Sequence, residues 1–163
     1  QDLNPTGGYV FMPKGWYFVE RHRSIKSLNW VVSKEDPKNG YETGQSIQFM
    51  LGIKDGTKMS PKEFIQKIII QIKKTSHVLS EECSESNQGE FERICLRTKE
   101  IKNRNNFPVE YIVQNSLFWN DDMDAVAIIV SGSPVADWDK YSKYLDRMNE
   151  IVLIDHKKMN LSE

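Results

Sequence analysis

No stretch of this sequence stays apolar for the roughly 20 residues a membrane-spanning helix needs; apolar runs such as Ile68-Ile69-Ile70 and Ala125 to Val130 fall far short of it. No charge of one sign dominates. The 22 basic and 23 acidic residues are interspersed, and the net charge is −1. With a pI near 6.4 the chain lacks the cationic field that would hold nucleic acid or an anionic membrane surface. Cysteine is scarce: there are two, and no CxxC pair that would support thioredoxin-like chemistry. The nucleophile elbow Gly-x-Ser-x-Gly, the zinc pair HExxH, the Walker spacing and G-x-G-x-x-G are all missing. Ser131-Gly132-Ser133-Pro134 comes nearest to the elbow, but its serines suit a turn and a helix cap. Gly7-Gly8 stands too isolated to be a phosphate loop. These absences disfavour nucleotide binding, and no cofactor is expected.

What is present is an ordinary domain composition: 163 residues, 39% hydrophobic and 28% charged. A chain of that length buries a sizeable core without a metal or disulfide staple. There is no internal repeat, low-complexity tract or linker, so residues 1–163 read as one domain with a flexible polar lead over 1–8 and a fraying tail over 156–163.

Tyr9 to Met12 and Trp16 to Val19 are aromatic and β-branched runs separated by Pro13-Lys14-Gly15, which predicts a hairpin. Leu28 to Ser33 is a further strand, closed by the turn cluster Asp36 to Gly40, too polar to be buried. Ser46 to Ile53 alternates cleanly, with Ile47, Phe49, Leu51 and Ile53 on one face. At Ser60-Pro61-Lys62-Glu63 the period changes: a serine cap, a proline at the first helical position and a glutamate three residues on make a capping box. The helix that follows carries Phe64, Ile65, Ile68, Ile69 and Ile72 on one stripe. Strand patterns return over His77 to Glu85, Glu90 to Lys99, Val109 to Trp119 and Asp124 to Ser131. Ser133-Pro134 then opens a second helix, with Trp138, Tyr141, Leu145, Met148 and Val152 at helical steps, expected to run to about Leu153. The prediction is α+β: an antiparallel sheet of about six to eight strands covered by amphipathic helices.

The start Gln1-Asp2-Leu3-Asn4-Pro5 has no initiator Met and reads as the mature end left after signal-peptide removal, with a trimmed chain start as the alternative. Cys83 and Cys95 lie equidistant from Gly89 in the turn composition Asn87-Gln88-Gly89. If a hairpin centres there, the two face each other closely enough for a disulfide, as in an exported protein; the alternative is two reduced, partly buried thiols.

This order of elements resembles the PsbP-like superfamily, which includes the extrinsic photosystem II protein and the yeast Ran-binding factor. Tyr9-Val10-Phe11-Met12-Pro13-Lys14-Gly15-Trp16 looks like the family's opening of strand, Pro-x-Gly-Trp and strand. A single helix after the third or fourth strand, and a closing helix from Trp138 to Leu153 after a long hairpin, are also similar, so the pattern spans nearly the whole chain. The resemblance implies a PsbP-like αβα sandwich and a non-enzymatic protein that docks on other proteins as an accessory or adaptor subunit. No family binding residue carries over, and the long flexible N-terminal extension of the photosystem subunit is not seen.

Candidate chemistry is sparse. Asn120-Asp121-Asp122-Met123-Asp124 gathers Asp121, Asp122 and Asp124 in one turn, an oxygen-rich set of the kind hard cations take, yet it lacks the EF-hand spacing and equally suits a solvated turn. His22, His77 and His156 are dispersed, which disfavours zinc. Arg21-His22-Arg23, with Lys26 nearby, is either an anion contact or a solvated loop. Trp16 and Trp138 suit the core, whereas Trp30 and Trp119, each flanked by asparagine, could each keep a wet edge. Asn160-Leu161-Ser162 fits a glycosylation sequon.

The expectation is therefore an exported binding or accessory module with an unidentified protein partner, no nucleic acid and no membrane span. Its recognition surface is sought in Lys34 to Thr43 and Arg21 to Lys26. The rival is a small hydrolase-like enzyme with a cleft lined by Trp30 and Trp119 and His22 or an aspartate of the turn as acid or base. A structural domain of an envelope assembly is the third alternative.

Overall fold

Gly44, at the start of the best-patterned strand, lies so close to its neighbour that a Cβ there would meet Val32 O at 2.5 Å, and the sheet is built outward from this tight pairing. The computed structural model describes residues 1–83 and 89–159. Among the described residues ten strands, β1 (Asp2–Leu3), β2 (Gly7–Tyr9), β3 (Tyr17–Arg23), β4 (Ser27–Ser33), β5 (Gly44–Leu51), β6 (His77–Ser80), β7 (Glu92–Arg104), β8 (Phe107–Asn120), β9 (Ala125–Pro134) and β10 (Val152–Ile154), combine with helices α1 (Ile53–Thr57), α2 (Pro61–Thr75) and α3 (Trp138–Met148). Seven strands form one antiparallel sheet in the order β3-β4-β5-β9-β8-β7-β6, and β1-β2-β10 form a second, three-stranded one. The fold class is α+β, as the pattern predicts.

The large sheet separates two cores. On one face, Leu28, Trp30, Val32, Ile47, Phe49, Phe118, Ala127 and Ile129 pack with Leu145 and Met148 of α3 and with Leu3 and Leu153 of the small sheet. On the other, Leu117, Trp119 and Val126 pack with Ile53 and Ile65, and with the partly buried Phe64, Ile68, Ile69 and Ile72 of α2. Each large apolar side chain fully buried in this way contributes about 1.5–3 kcal/mol. The capping box is present in full: Ser60 Oγ accepts from Glu63 N at 3.2 Å and a Glu63 carboxylate oxygen accepts from Ser60 N at 2.8 Å.

Four expectations are corrected. Tyr9 to Met12 and Trp16 to Val19 do not form a hairpin: β2 joins β10 and β1, whereas β3 pairs with β4. The turn between them exists, with Trp16 N donating to Pro13 O at 3.2 Å, but it hands the chain from one sheet to the other. The 1–8 lead is not flexible, since Leu3 is fully buried and the Gln1 amino group donates to Val10 O at 2.9 Å. The last helix stops at Met148, and Val152 to Ile154 continues as strand, where the apolar run 151–154 favours the pleated surface that β2 offers. At the end of β5, Gly52 in a left-handed conformation (φ 71°) ends the strand and turns Ile53 into α1 and the second core. Pro37 is buried, so the Asp36 to Gly40 cluster is not wholly solvated.

Cys83 and Cys95 form a disulfide with Cα atoms 5.1 Å apart. Cys95 lies on β7, while Cys83 follows the last paired residue of β6, so the bridge extends a ladder that ends at Ser80↔Arg97. Closing a loop of sequence separation 12 constrains the unfolded chain by about 3 kcal/mol. The turn residues 84–88 and the sequon at 160–162 lie outside the described residues.

Candidate functional site

The face of the large sheet that carries α2 is covered by that helix only toward one end. Toward the other, the loop 34–43 folds over it. The loop is held by its own backbone: Lys34 N donates to Thr43 O at 2.9 Å, and the Glu35 carboxylate accepts from Glu42 N and Thr43 N at 3.3 and 3.2 Å. Asp36 Oδ1 accepts from Lys38 N at 3.0 Å and caps the short 3₁₀ turn Pro37–Asn39. Glu35 and Asp36 thus use their carboxylates to shape the loop.

Two arginines from distant strands tie down its outer edge. Arg21 Nη2 donates to Pro37 O at 2.9 Å, and Arg104 Nη2 donates to Tyr41 O at 2.9 Å. Arg21 reaches this position through a β-bulge: Glu20 pairs with Trp30 and His22 with Asn29, which leaves Arg21 as the extra, unpaired residue. The same bulge brings Glu20 and Arg23 together, although three residues apart in a strand normally means opposite faces; their ion pair is 2.7 Å. Arg104 sits at the end of the long β7–β8 hairpin, whose two-residue turn Asn105-Asn106 takes positive φ at both positions, as the favoured hairpin turn requires.

Between these elements lies a shallow, wide-open groove of about 410 Å³ bordered by Arg21, Asn29, Val31, Gly40, Tyr41, Ser46 and Arg104. It continues past Tyr41 into a recess of about 200 Å³ that adds Glu42, Lys102, Tyr111 and Gly132. The Glu42 carboxylate accepts from Tyr111 Oη at 3.3 Å and lies 3.9 Å from Arg104 Nε, while Lys102 pairs with Glu100 at 3.6 Å. Burial pushes the Tyr41 phenol above its ordinary range, opposed by the Arg21 charge and by a hydrogen bond with Ser46. Burial, and then the Glu42 charge, likewise push Tyr111 up. Asn29 borders this concavity, but its Oδ1 is covered by protein and has no hydrogen-bond partner among the described residues.

A second concavity, of about 350 Å³, opens on the opposite face beside the disulfide and is lined by Arg93, Arg97, Gln114, Asp146 and Asn149, among others. Two of its amides are committed to a network: Asn149 Nδ2 donates to Gln114 Oε1 at 2.6 Å and Ser131 Oγ at 3.2 Å, Asn149 Oδ1 accepts from Gln45 Nε2 at 2.9 Å, and Gln114 Nε2 donates to Asp146 Oδ1 at 2.7 Å; Asn115 Nδ2 and Gln45 Oε1 have no hydrogen-bond partner among the described residues. This network fastens the end of α3 to the sheet.

Of the residues singled out from sequence, Arg21 and the loop 34–43 come together. His22 and Arg23 do not join them: His22 is exposed on β3, and Arg23 is held by Glu20 and by Asn4 O at 3.2 Å. The Arg21-His22-Arg23 run is edge strand, not loop. Lys26 lies in the β3–β4 turn, 3.9 Å from Asp55. Trp30 and Trp119 are 1% and 7% exposed and belong to the two different cores, so no cleft lies between them. The aspartates diverge. Asp121 Oδ1 accepts from Lys62 N at 3.0 Å, in the first turn of α2; Asp124 Oδ1 accepts from Lys54 N at 3.1 Å, in α1; Asp122 is exposed. Among the described residues no group of three or more His, Cys, Asp or Glu side chains is placed to hold a metal ion. Sequence reading missed Asn29 and Arg104; the signal for Arg104 was an arginine immediately before an Asn-Asn turn.

No protein-family model matches the chain, and no curated protein matches it in sequence. Among solved structures, LpqN of Mycobacterium tuberculosis, described as involved in cell envelope biogenesis, is similar with a TM-score of 0.50 at 13% identity, over 89% of this chain and 83% of that one. A structure from Bacteroides thetaiotaomicron VPI-5482 gives a TM-score of 0.49 at 10% identity, over 92% of this chain and 46% of that one. At such identities the likeness to LpqN is one of fold.

Proposed function

We propose that this protein is an exported, non-enzymatic accessory module that docks on a protein partner through the groove between Arg21, Tyr41 and Arg104. One observation carries the reading: three parts of the chain far apart in sequence, a bulged edge strand, a self-braced loop and the end of a long hairpin, converge to present cationic and aromatic side chains around one groove. Loops fixed on a rigid sheet are where binding residues concentrate. Export is supported by the disulfide, which persists in oxidising compartments. A place in a cell envelope is supported by the shared fold with LpqN and by what that protein is described as doing. The PsbP-like outline is part of the same reading. It is supported by the order of Pro-x-Gly-Trp turn, helix after β5 and closing helix, and it accords with accessory work.

The test is affinity capture from the envelope fraction of the native source with the intact protein and with an R21E/R104E variant, each first checked for folding by circular dichroism. A protein held by the intact chain and lost from the charge-reversed one supports docking at the groove. Equal capture by both, or none, contradicts it.

A further inference from the structure

Asn39-Gly40 is the one asparagine–glycine step in the chain, and the fold sets it in the exposed crown of the loop 34–43. We propose that it is a site of spontaneous modification, at which the Gly40 backbone nitrogen closes on the Asn39 side-chain carbonyl and the residue becomes aspartate or isoaspartate. The step needs water alone as co-reactant. The Gly40 amide gives up its proton and its nitrogen bonds to Asn39 Cγ; the bond from Cγ to Nδ2 breaks, and ammonia leaves with that proton. Water then opens the cyclic imide. Opening at the side-chain carbonyl leaves aspartate, and opening at the main-chain carbonyl leaves isoaspartate, whose backbone is longer by one methylene.

Three observations favour the reaction at this position. Asn39 is exposed and its side-chain amide makes no hydrogen bond among the described residues, so nothing holds its carbonyl away from Gly40. The backbone bonds that keep the turn closed, from Asn39 N to Asp36 O and from Gly40 N to Pro37 O, are both 3.3 Å, at the long end for N–H donors. Attack requires this turn to open. Arg21 and Arg104 hold Pro37 O and Tyr41 O on either side, so the exposed residues Lys38, Asn39 and Gly40 can open locally without unseating the loop. Third, Gly40 brings no side chain against the closing ring, and even a Cβ built there would meet only Arg104 Nη1, at 4.0 Å. The β7–β8 turn supplies the comparison: Asn105 and Asn106 are also exposed, but Asn106 and Phe107 follow them, and their side chains crowd the attacking nitrogen. Conversion adds one carboxylate, taking the net charge from −1 to −2, in the span between the two arginine tethers. None of this depends on the groove being a docking site.

The test is incubation of the intact protein in mildly alkaline buffer, where the amide nitrogen loses its proton more readily, beside a sample unfolded in urea. Both are then cut with a glutamyl endopeptidase in mildly acidic buffer, and the peptides 36–42 and 101–110 are followed by chromatography and mass spectrometry. In the folded protein the parent peptide 36–42 is expected to give way to two products of equal mass, the isoaspartyl and aspartyl forms, each heavier by the exchange of NH2 for OH. Peptide 101–110, which carries Asn105 and Asn106, is expected to keep its mass. Asn39→Gln, whose longer side chain closes a ring far more slowly, is expected to keep the parent mass of its own peptide. A folded chain whose peptide 36–42 stays unchanged for as long as the unfolded chain takes to convert would overturn the proposal, because the fold would then shield the step. Equal conversion of peptide 101–110 would overturn it as well, since Gly40 would not be what selects the site. An aspartyl product with no isoaspartyl form would replace ring closure by direct hydrolysis, and the proposal would fail.

Discussion

Gly8 has no room for a side chain. A Cβ there would lie 2.2 Å from Val152 O and 2.5 Å from Leu153 O, so the small sheet exists only because β2 approaches β10 without one. Gly8→Ala is therefore expected to cost about 2 kcal/mol or more in urea unfolding, and to loosen β1 and β10 in hydrogen exchange before the large sheet. Unchanged stability would mean that the two strands are not paired this closely. Tyr41 offers a second single-residue test. Its phenol is pushed above the ordinary value of 10.0, first by burial, so at high pH the folded chain holds that proton more tightly than the unfolded one. The sign follows: the contribution is complete below the unfolded value and is lost as pH rises through the raised folded value. In a tyrosinate absorbance titration Tyr41→Phe is expected to remove a late-ionising component. Arg21→Gln is expected to shift that component later still, because the Arg21 charge lowers it. A component indifferent to Arg21 would separate the two groups and remove one wall of the groove.

At the scale of elements, α2 shows how two local signals combine with one distant group. Ser60, Pro61 and Glu63 were legible as a start signal, and the cap forms as their spacing dictates. The remaining donor in the first turn, Lys62 N, is met by Asp121 from the β8–β9 turn. Asp121→Ala is expected to destabilise the fold by about 1 kcal/mol, as loss of a helix cap does, whereas Asp122→Ala, whose side chain is exposed, is expected to change little. Equal effects of the two would return the turn to the role of a general acidic patch. No local reading assigns Asp121 this role, because its partner is 59 residues away. The same limit explains β10. Ile151 to Ile154 continues the apolar steps of α3 and is also a β-type run, so local period cannot choose between helix and strand. The choice falls to β2, through Val152↔Tyr9 and Ile154↔Gly7. Alternation in β5 and the positions of Cys83 and Cys95 were readable because their partners are near in sequence or are set by simple pairing geometry.

At the scale of the molecule, the large sheet works as a rigid spacer between two cores, and the groove is the part of its α2 face that α2 leaves to the loop 34–43. Half of the groove was legible: the loop was singled out for its turn residues and Arg21 for its charge. Arg104 and Asn29 were not, since a bulge, a long hairpin and a strand register bring them there, none of which leaves a periodic trace. Trp30 and Trp119 misled for a related reason. Their asparagine neighbours point to the other face of each strand, so a polar flank says nothing about the tryptophan itself.

The measurement that bears most directly on docking at the groove places a photoreactive phenylalanine analogue at Tyr41 and, in a separate control, at Lys67 on α2, followed by irradiation in the native envelope fraction and mass spectrometry of the adducts. The account predicts one protein cross-linked from position 41 and not from position 67, with the adduct abolished by R21E/R104E. Adducts that form equally from both positions, or that survive the charge reversal, would contradict it.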